Sequence, residues 1–316
     1  MATPAVHPRV EETAADVAAM EVRGAATIAD AVAEALRVQA TESDAAAPEE
    51  FRAGMRAAAR RLLDTRPTAV SLPNALRFVL GRLSGETVSD LRESAIQAAD
   101  DLQDRLAAAH ADLGAEGADR LDDGDTIMTH CHSTDALGMV EQAVADGRDL
   151  SAVVKETRPR QQGHITAREL SAMGVDVTLI VDGAAYSFLE QVDHVLVGAD
   201  RIEADGAVVN KIGTSGLAVL AEERGVPLTV AAQTIKLDPG SLRGEPVEIE
   251  QRDPAEVLPP DEREGLKAIT VANPAFDVTP PERVDAIVTE RGVFPPDEIG
   301  VLVSELYGDV PAEPWA

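Results

Sequence analysis

From about Val10 to Leu113 apolar residues recur three and four positions apart: Ile28, Val32, Ala35 and Leu36; Met55, Ala58, Ala59 and Leu62; Ile96, Ala99, Leu102 and Leu106. That spacing returns to one face of a helix on every turn, so this half reads as a set of amphipathic helices. Breaks are expected at 43-SDAAAP-48, across Pro67 to Pro73 and at 84-SGE-86. The Gly-rich, acidic stretch 114-GAEGADRLDDGD-125 then ends the helical pattern, and short β-rich runs follow at 126–129, 152–156, 176–181, 194–198, 228–232 and 285–289. Helical stretches such as 133–145, 166–173 and 214–224 separate them. Short apolar strands alternating with helices predict a parallel sheet, doubly wound and covered on both faces, with ligands at the carboxyl ends of its strands. The expected fold class is α/β: an all-helical domain over residues 1–118, then a sheet domain over residues 119–316.

Composition narrows the function. The 316 residues carry 28 Lys+Arg against 56 Asp+Glu, a formal charge of −28. A field that negative repels phosphate backbones and acidic lipid, so neither nucleic acid nor a membrane is an expected partner, and any phosphate site has to be local. Only four cations are lysines: Lys155, Lys211, Lys236 and Lys267. An acid-rich, lysine-poor chain that is still 45% hydrophobic suggests a folded protein kept soluble in high salt, where screening weakens its self-repulsion. One cysteine, Cys131, excludes an internal disulfide framework and a zinc cage of several thiolates. With no run of signal-peptide or membrane-span length, the reading is cytoplasmic and soluble.

Six stretches carry chemistry. In 126-TIMTHCHST-134 a strand ends at the lone thiol and a helix begins, where the helix dipole is expected to lower the pKa of Cys131; a buried structural cysteine is the plainer alternative. His130 and His132 flank it, but consecutive strand residues point to opposite faces, so no metal site is expected. In 156-ETRPRQQGHITAREL-170, Glu156, Arg158 and Gln162 stand at a strand end and Gly163 permits a turn; a solvated loop with an N-capped helix reads equally well. In 193-DHVLVGADRIEADGAVVNKIGTSGLAVLA-221, Asp200 follows an apolar strand, and Asn210, Lys211, Gly213 and Thr214 lead into a helix whose amides could cradle an anion. It is not a Walker loop, and no GxGxxG follows a strand. The fourth and fifth, 23-RGAA-26 and 65-TRPTAVSLPNAL-76 with its Arg66, offer guanidinium forks beside open helix amides. The sixth holds Lys236, just past a strand in 231-AAQTIKLDP-239.

Together RGAA, RPTAVSLPNA, THCHS, ETRPRQQG, the VGAD…NKIGTSGLA block and NPAFDVTPPERVDAIVTERG resemble, in order and over nearly the whole chain, one superfamily. It holds sugar 1-phosphate aldose–ketose isomerases and the regulatory subunits of the translation-initiation guanine-nucleotide exchange factor. The resemblance implies an N-terminal helical domain and a Rossmann-like domain, a catalytic pair at Cys131 and Asp200, and no cofactor. It also implies substrate contacts from Arg23, Gly24, Ala25, Ala26, Arg66, Ser133, Thr134, Asp135, Asn210, Lys211 and Lys236. Asp200 as the acid calls for an apolar site that keeps it protonated, and the VLVGA run suggests one. Branches of the superfamily differ in what meets the sugar's carbon 5. RGAA and the polar helix start at Ser133 and Thr134 suit a second phosphate, although Asp135 in that first turn has to point away from it. The implied substrate is a phosphorylated pentose, ribose 1,5-bisphosphate going to ribulose 1,5-bisphosphate in the metabolism of nucleoside-derived ribose, as in the archaeal branch. Methylthioribose 1-phosphate isomerisation and a non-catalytic exchange-factor subunit are the alternatives; such subunits usually lack the Cys and Asp together. A homo-oligomer, dimer or hexamer, and a nucleotide activator complete what the resemblance implies.

Overall fold

The computed structural model describes residues 5–22, 24–66, 68–263, 266, 269–308 and 313–316. Its helices are α1 (Pro8–Ala18), α2 (Ala25–Thr41), α3 (Pro48–Leu63), α4 (Ser71–Leu80), α5 (Val88–Ala118), α6 (Thr134–Ala145), α7 (Gly163–Ala172), α8 (Ala185–Phe188), α9 (Thr214–Arg224), α10 (Pro260–Arg263) and α11 (Ile299–Tyr307). Its strands are β1 (Thr126–His130), β2 (Ser151–Lys155), β3 (Asp176–Ile180), β4 (His194–Gly198), β5 (Arg201–Glu203), β6 (Val208–Lys211), β7 (Leu228–Ala231), β8 (Leu237–Asp238), β9 (Phe276–Thr279), β10 (Ala286–Thr289) and β11 (Gly292–Phe294). They form two compact units, one of Met1–Ala109, Ile235–Pro239 and Ser304–Ala316, the other of His110–Thr234 and Gly240–Val303.

In the helical unit the periodic residues converge. Ile28, Val32, Leu36, Met55 and Leu62 are buried in one core with Phe51, Leu72, Leu76 and Leu91. The break before α4 is shorter than expected. Pro73 lies inside the first turn of α4, where a missing N–H costs no helical hydrogen bond. Two later segments return to this unit. Asn74 Nδ2 donates to the carbonyls of Ile235 (2.9 Å) and Leu237 (2.8 Å), bracketing Lys236, and Arg60 donates to the carbonyl of Trp315 at 2.7 Å.

The Gly-rich stretch at 114 does not end the helix. α5 runs on through Gly114 and Gly117 to Ala118, while the units divide after Ala109. Packing explains this: a Cβ on Gly114 would stand 2.8 Å from the carbonyl oxygen of Gly138, and one on Gly117 would stand 2.5 Å from Met139 Cγ. These glycines let α5 approach α6 closely, and that contact offsets their poor helix propensity.

The second unit is built on a seven-stranded sheet in the order β11-β10-β7-β4-β1-β2-β3, parallel except for β11. The register pairs His130 with Lys155, Lys155 with Ile180, and Gly198 with Ala231, so β1, β2, β3, β4 and β7 all end along one edge. Strand order reverses between β1 and β4, which makes the gap beyond their carboxyl ends the topological switch point. The sequence pattern located these parallel strands within a residue or two. It missed the antiparallel β5, β6 and β9, which are short and lack a continuous apolar run. β6 pairs with β9 so that Lys211 faces Phe276 and Asn210 faces Asp277.

Candidate active site

Cys131 is the first residue beyond β1, at the switch point, and is 7% exposed. Its φ is +71°, a conformation uncommon without glycine. Two threonines hold that backbone. The Cys131 N–H donates to Thr157 Oγ1 at 2.8 Å, and Thr166 Oγ1 donates to the Cys131 carbonyl at 2.8 Å. Thr157 lies two residues past β2 and has φ +64°, rarer still for a β-branched residue. Asp182, beyond β3, braces it by accepting from the Thr157 N–H (3.0 Å) and the Arg158 N–H (2.7 Å). Gly163 closes the loop back onto β2: a Cβ there would lie 1.8 Å from the Lys155 carbonyl oxygen, so close approach requires the glycine. Glu156 is half-buried, Arg158 is exposed, and Gln162 precedes α7 without capping it through its side chain.

Ser133 caps α6 by accepting from the Ala136 N–H at 3.2 Å, and Thr134 opens the helix, exposed. Asp135 is 1% exposed, and its carboxylate turns onto Gln233 beyond β7, accepting from the backbone N–H (3.2 Å) and from Nε2 (3.0 Å). That direction ties α6 to β7.

Asp200 follows β4, but the apolar run before it does not enclose it. Val195 to Gly198 are buried within the sheet, the chain leaves the sheet at Ala199, and Asp200 is exposed. The expected anion cradle at α9 is also occupied. Asp277 accepts from the N–H groups of Gly213 (2.7 Å) and Ser215 (3.1 Å), so these amides already hold a carboxylate. Asn210 is buried, and its Nδ2 donates to Thr214 Oγ1 (3.0 Å), pinning the helix start. Lys211 is 7% exposed, with its ammonium 4.8 Å from the centre of the Phe276 ring; Arg252 covers the same ring at 5.8 Å.

Electrostatics join these groups. Burial pushes the Cys131 thiol up to about 11, against the expectation from the helix dipole. Lys211, the His132 N–H and Arg252 favour its thiolate, while Asp200 opposes it. Burial lowers the pKa of Lys211, which Asp200 and Cys131 raise in turn. The Lys211 ammonium and the Asp200 carboxylate therefore both act on the thiol, with opposite sign. Arg160, held by Glu256, and Arg252 add positive charge that the sequence reading did not single out. Lys155, Lys211 and Lys236 are all buried, so every described lysine is withheld from the surface. Among the described residues no group of three or more His, Cys, Asp or Glu is placed to hold a metal ion, and no helix is long and apolar enough to cross a membrane.

In the helical unit Gly24 is the N-cap of α2, with φ +95°, and Ala25 and Ala26 form the first turn. Arg66 is half-buried between α3 and α4. Arg23 lies outside the described residues.

A model of the Initiation factor 2 subunit family, IF-2B, matches residues 21–296. The chain belongs to the Initiation factor 2 subunit family. Within it, a protein named ribose 1,5-bisphosphate isomerase from Haloferax volcanii is 64% identical over 311 residues, 98% of this chain and 96% of its own. One of the same name from Haloterrigena turkmenica is 61% identical over 320 residues, 99% and 98% of the two chains. The crystal structure of 5-methylthioribose 1-phosphate isomerase from Pyrococcus horikoshii matches with a TM-score of 0.75 at 37% identity, over 94% of this chain and 87% of that one. The two nearer family members come from haloarchaea, in keeping with the acid-rich, lysine-poor composition.

Proposed function

We propose that the protein is an aldose–ketose isomerase that converts ribose 1,5-bisphosphate to ribulose 1,5-bisphosphate. One observation carries this reading: Lys211 and Asp200 both act on the Cys131 thiol, at the switch point of a chain 64% identical, over 98% of its length, to a relative named for that substrate.

A phosphate on the anomeric carbon blocks spontaneous ring opening, so the chemistry needs an acid and a base together. Asp200, carboxylic acid at that moment, gives its proton to the ring oxygen as the bond from carbon 1 to that oxygen breaks. Cys131, as thiolate, takes the proton from carbon 2, and the electron pair forms the double bond between carbons 1 and 2. The enol still bears both phosphates. Its hydroxyl proton passes to the Asp200 carboxylate, a proton returns to carbon 1 from Cys131, and the ketose results. Lys211 and Arg252 favour the thiolate that this step requires.

Substrate-holding roles for Arg23, Gly24 to Ala26, Arg66, Ser133, Thr134, Asn210, Lys211 and Lys236 belong to the same proposal. So do a cytoplasmic homo-oligomer, dimer or hexamer, and activation by a nucleotide. Asp135 acts here by fixing α6 against Gln233.

Incubation with each sugar phosphate in high salt, following ketose formation, tests the reading. Turnover of the bisphosphate supports it. Turnover of methylthioribose 1-phosphate alone replaces the substrate, and turnover of neither leaves a binding subunit.

A further inference from the structure

We propose that Thr157 and His130 are positioning residues that set the Cys131 backbone against the Lys211 loop through one buried chain of hydrogen bonds. The inference rests on the isomerase reading for its activity arm and on geometry for the rest. The Cys131 N–H donates to Thr157 Oγ1 at 2.8 Å. That hydroxyl lies 3.3 Å from His130 Nδ1, and His130 Nε2 lies 2.8 Å from the carbonyl oxygen of Ile212, the residue after Lys211. Thr157 is 0% exposed and His130 is 2% exposed, so the chain of bonds is shielded from bulk solvent.

The directions of the bonds follow from the chemistry of the groups. A carbonyl only accepts, so Nε2 carries the imidazole proton and Nδ1 is bare. The Thr157 hydroxyl accepts from Cys131 and shares its own hydrogen between the Lys155 carbonyl at 3.1 Å and Nδ1 at 3.3 Å. Only a neutral histidine fits this order. Burial and the nearby Lys155 ammonium, which together push His130 down to about 4, keep it neutral. The far end is fixed as well: the Ile212 N–H donates to the Ala275 carbonyl at 3.0 Å, and Asp277 holds Gly213. Lys211 thus ends β6 beside a clamped turn, and the thiol it favours hangs from the other end of the same chain. Neither Thr157 nor His130 touches the reacting atoms; each acts through Cys131.

The test compares Thr157→Val, which keeps shape and loses the hydroxyl, with Thr157→Ser, which keeps the hydroxyl. The inference predicts that Thr157→Val lowers kcat by about 10–100-fold with KM within about twofold, and that Thr157→Ser keeps most of the activity. A second readout needs no substrate. Cys131 is the sole cysteine, so the pH profile of iodoacetamide alkylation reports its thiol alone. The charged groups acting on it, Lys211, Arg252 and Asp200, are unchanged in both variants. Released from its buried place, the thiol in Thr157→Val should titrate nearer the ordinary value of 9.0 than in the parent. A folded Thr157→Val with the parent's kcat and alkylation profile overturns the inference, as does a Thr157→Ser equally impaired. Should Thr157→Val fail to fold, His130→Gln is read by the same two measurements. If the parent isomerises neither sugar phosphate, the proposed function falls and the alkylation profile alone decides the clamp.

Discussion

Cys131 hands its backbone N–H to Thr157 across 2.8 Å, and both residues sit in the left-handed region, at φ +71° and +64°. Each such conformation costs about 1–3 kcal/mol and persists only where the surroundings over-determine it. Here Thr166, Asp182 and the close approach of Gly163 to Lys155 supply that constraint. The strain is concentrated where β1 and β2 end, beside the one thiol of the chain.

The thiol itself gives a first prediction. Alkylation of Cys131 in the parent protein should accelerate with pH up to about 11. Lys211→Met removes a charge that favours the thiolate, so the profile should move to higher pH; an unmoved profile would mean that Lys211 does not act on the thiol. Stability follows with the opposite sign. The folded value lies above the ordinary 9.0, so between about 9 and 11 the unfolded chain loses the proton first. Folding stability should fall through that window, and Cys131→Ala should flatten the fall in urea melts.

His130 supplies the acid counterpart. Its folded value of about 4 lies below the ordinary 6.5, so between those pH values the unfolded chain binds a proton that the native state does not. Stability from this group is complete above about 6.5 and is lost as pH falls toward 4, on the order of 3 kcal/mol in all. His130→Gln should be less stable at neutral pH and less sensitive to acid in this range. An identical pH slope in the variant would show that His130 does not titrate this way.

Much of this architecture was legible beforehand, and what was not depends on residues far apart in the chain. Helical spacing placed Ile28, Val32, Met55 and Leu62 in the core, and apolar runs placed β1, β4 and β7. Cys131 and Asp200 stand out in the sequence because each follows an apolar strand, and Lys211 because it leads into a helix. The α9 amides looked open to an anion because Asp277, which occupies them, lies 64 residues beyond Gly213. The helix dipole suggested an acidic thiol, yet burial, a property of the assembled fold, decides its pKa. Gly114 and Gly117 looked like a helix end because α6, which needs them small, comes later in sequence. Thr157 lies inside ETRP, between charged residues whose chemistry is the more conspicuous. A polar residue just past a buried strand was the signal that could have found it.

Gly163 tests the close packing beneath the site. Gly163→Ala drives a Cβ into the Lys155 carbonyl, which is backbone and cannot swing aside. The cost should be about 3 kcal/mol or more, read as a lower urea midpoint, with Cys131 alkylated faster. A variant as stable as the parent would contradict the observed approach of this loop to β2.

Salt tests the meaning of the charge. The formal charge of −28 is spread over a surface whose described lysines are all buried. At about 1 M salt the screening length is about 3 Å, against about 30 Å at 0.01 M. Dialysis into low salt should therefore unfold the protein, and return to high salt should restore its circular dichroism. Unchanged thermal stability at low salt would remove the high-salt reading.

The central claim is that Cys131 takes the proton from carbon 2 of ribose 1,5-bisphosphate. The most direct measurement is ribulose 1,5-bisphosphate formation in high salt by the parent and by Cys131→Ser, with the fold of both checked by circular dichroism. Loss of the base should slow turnover by about 10²–10⁴-fold in a variant that remains folded. A folded Cys131→Ser that forms the ketose at the parent's rate would contradict the account.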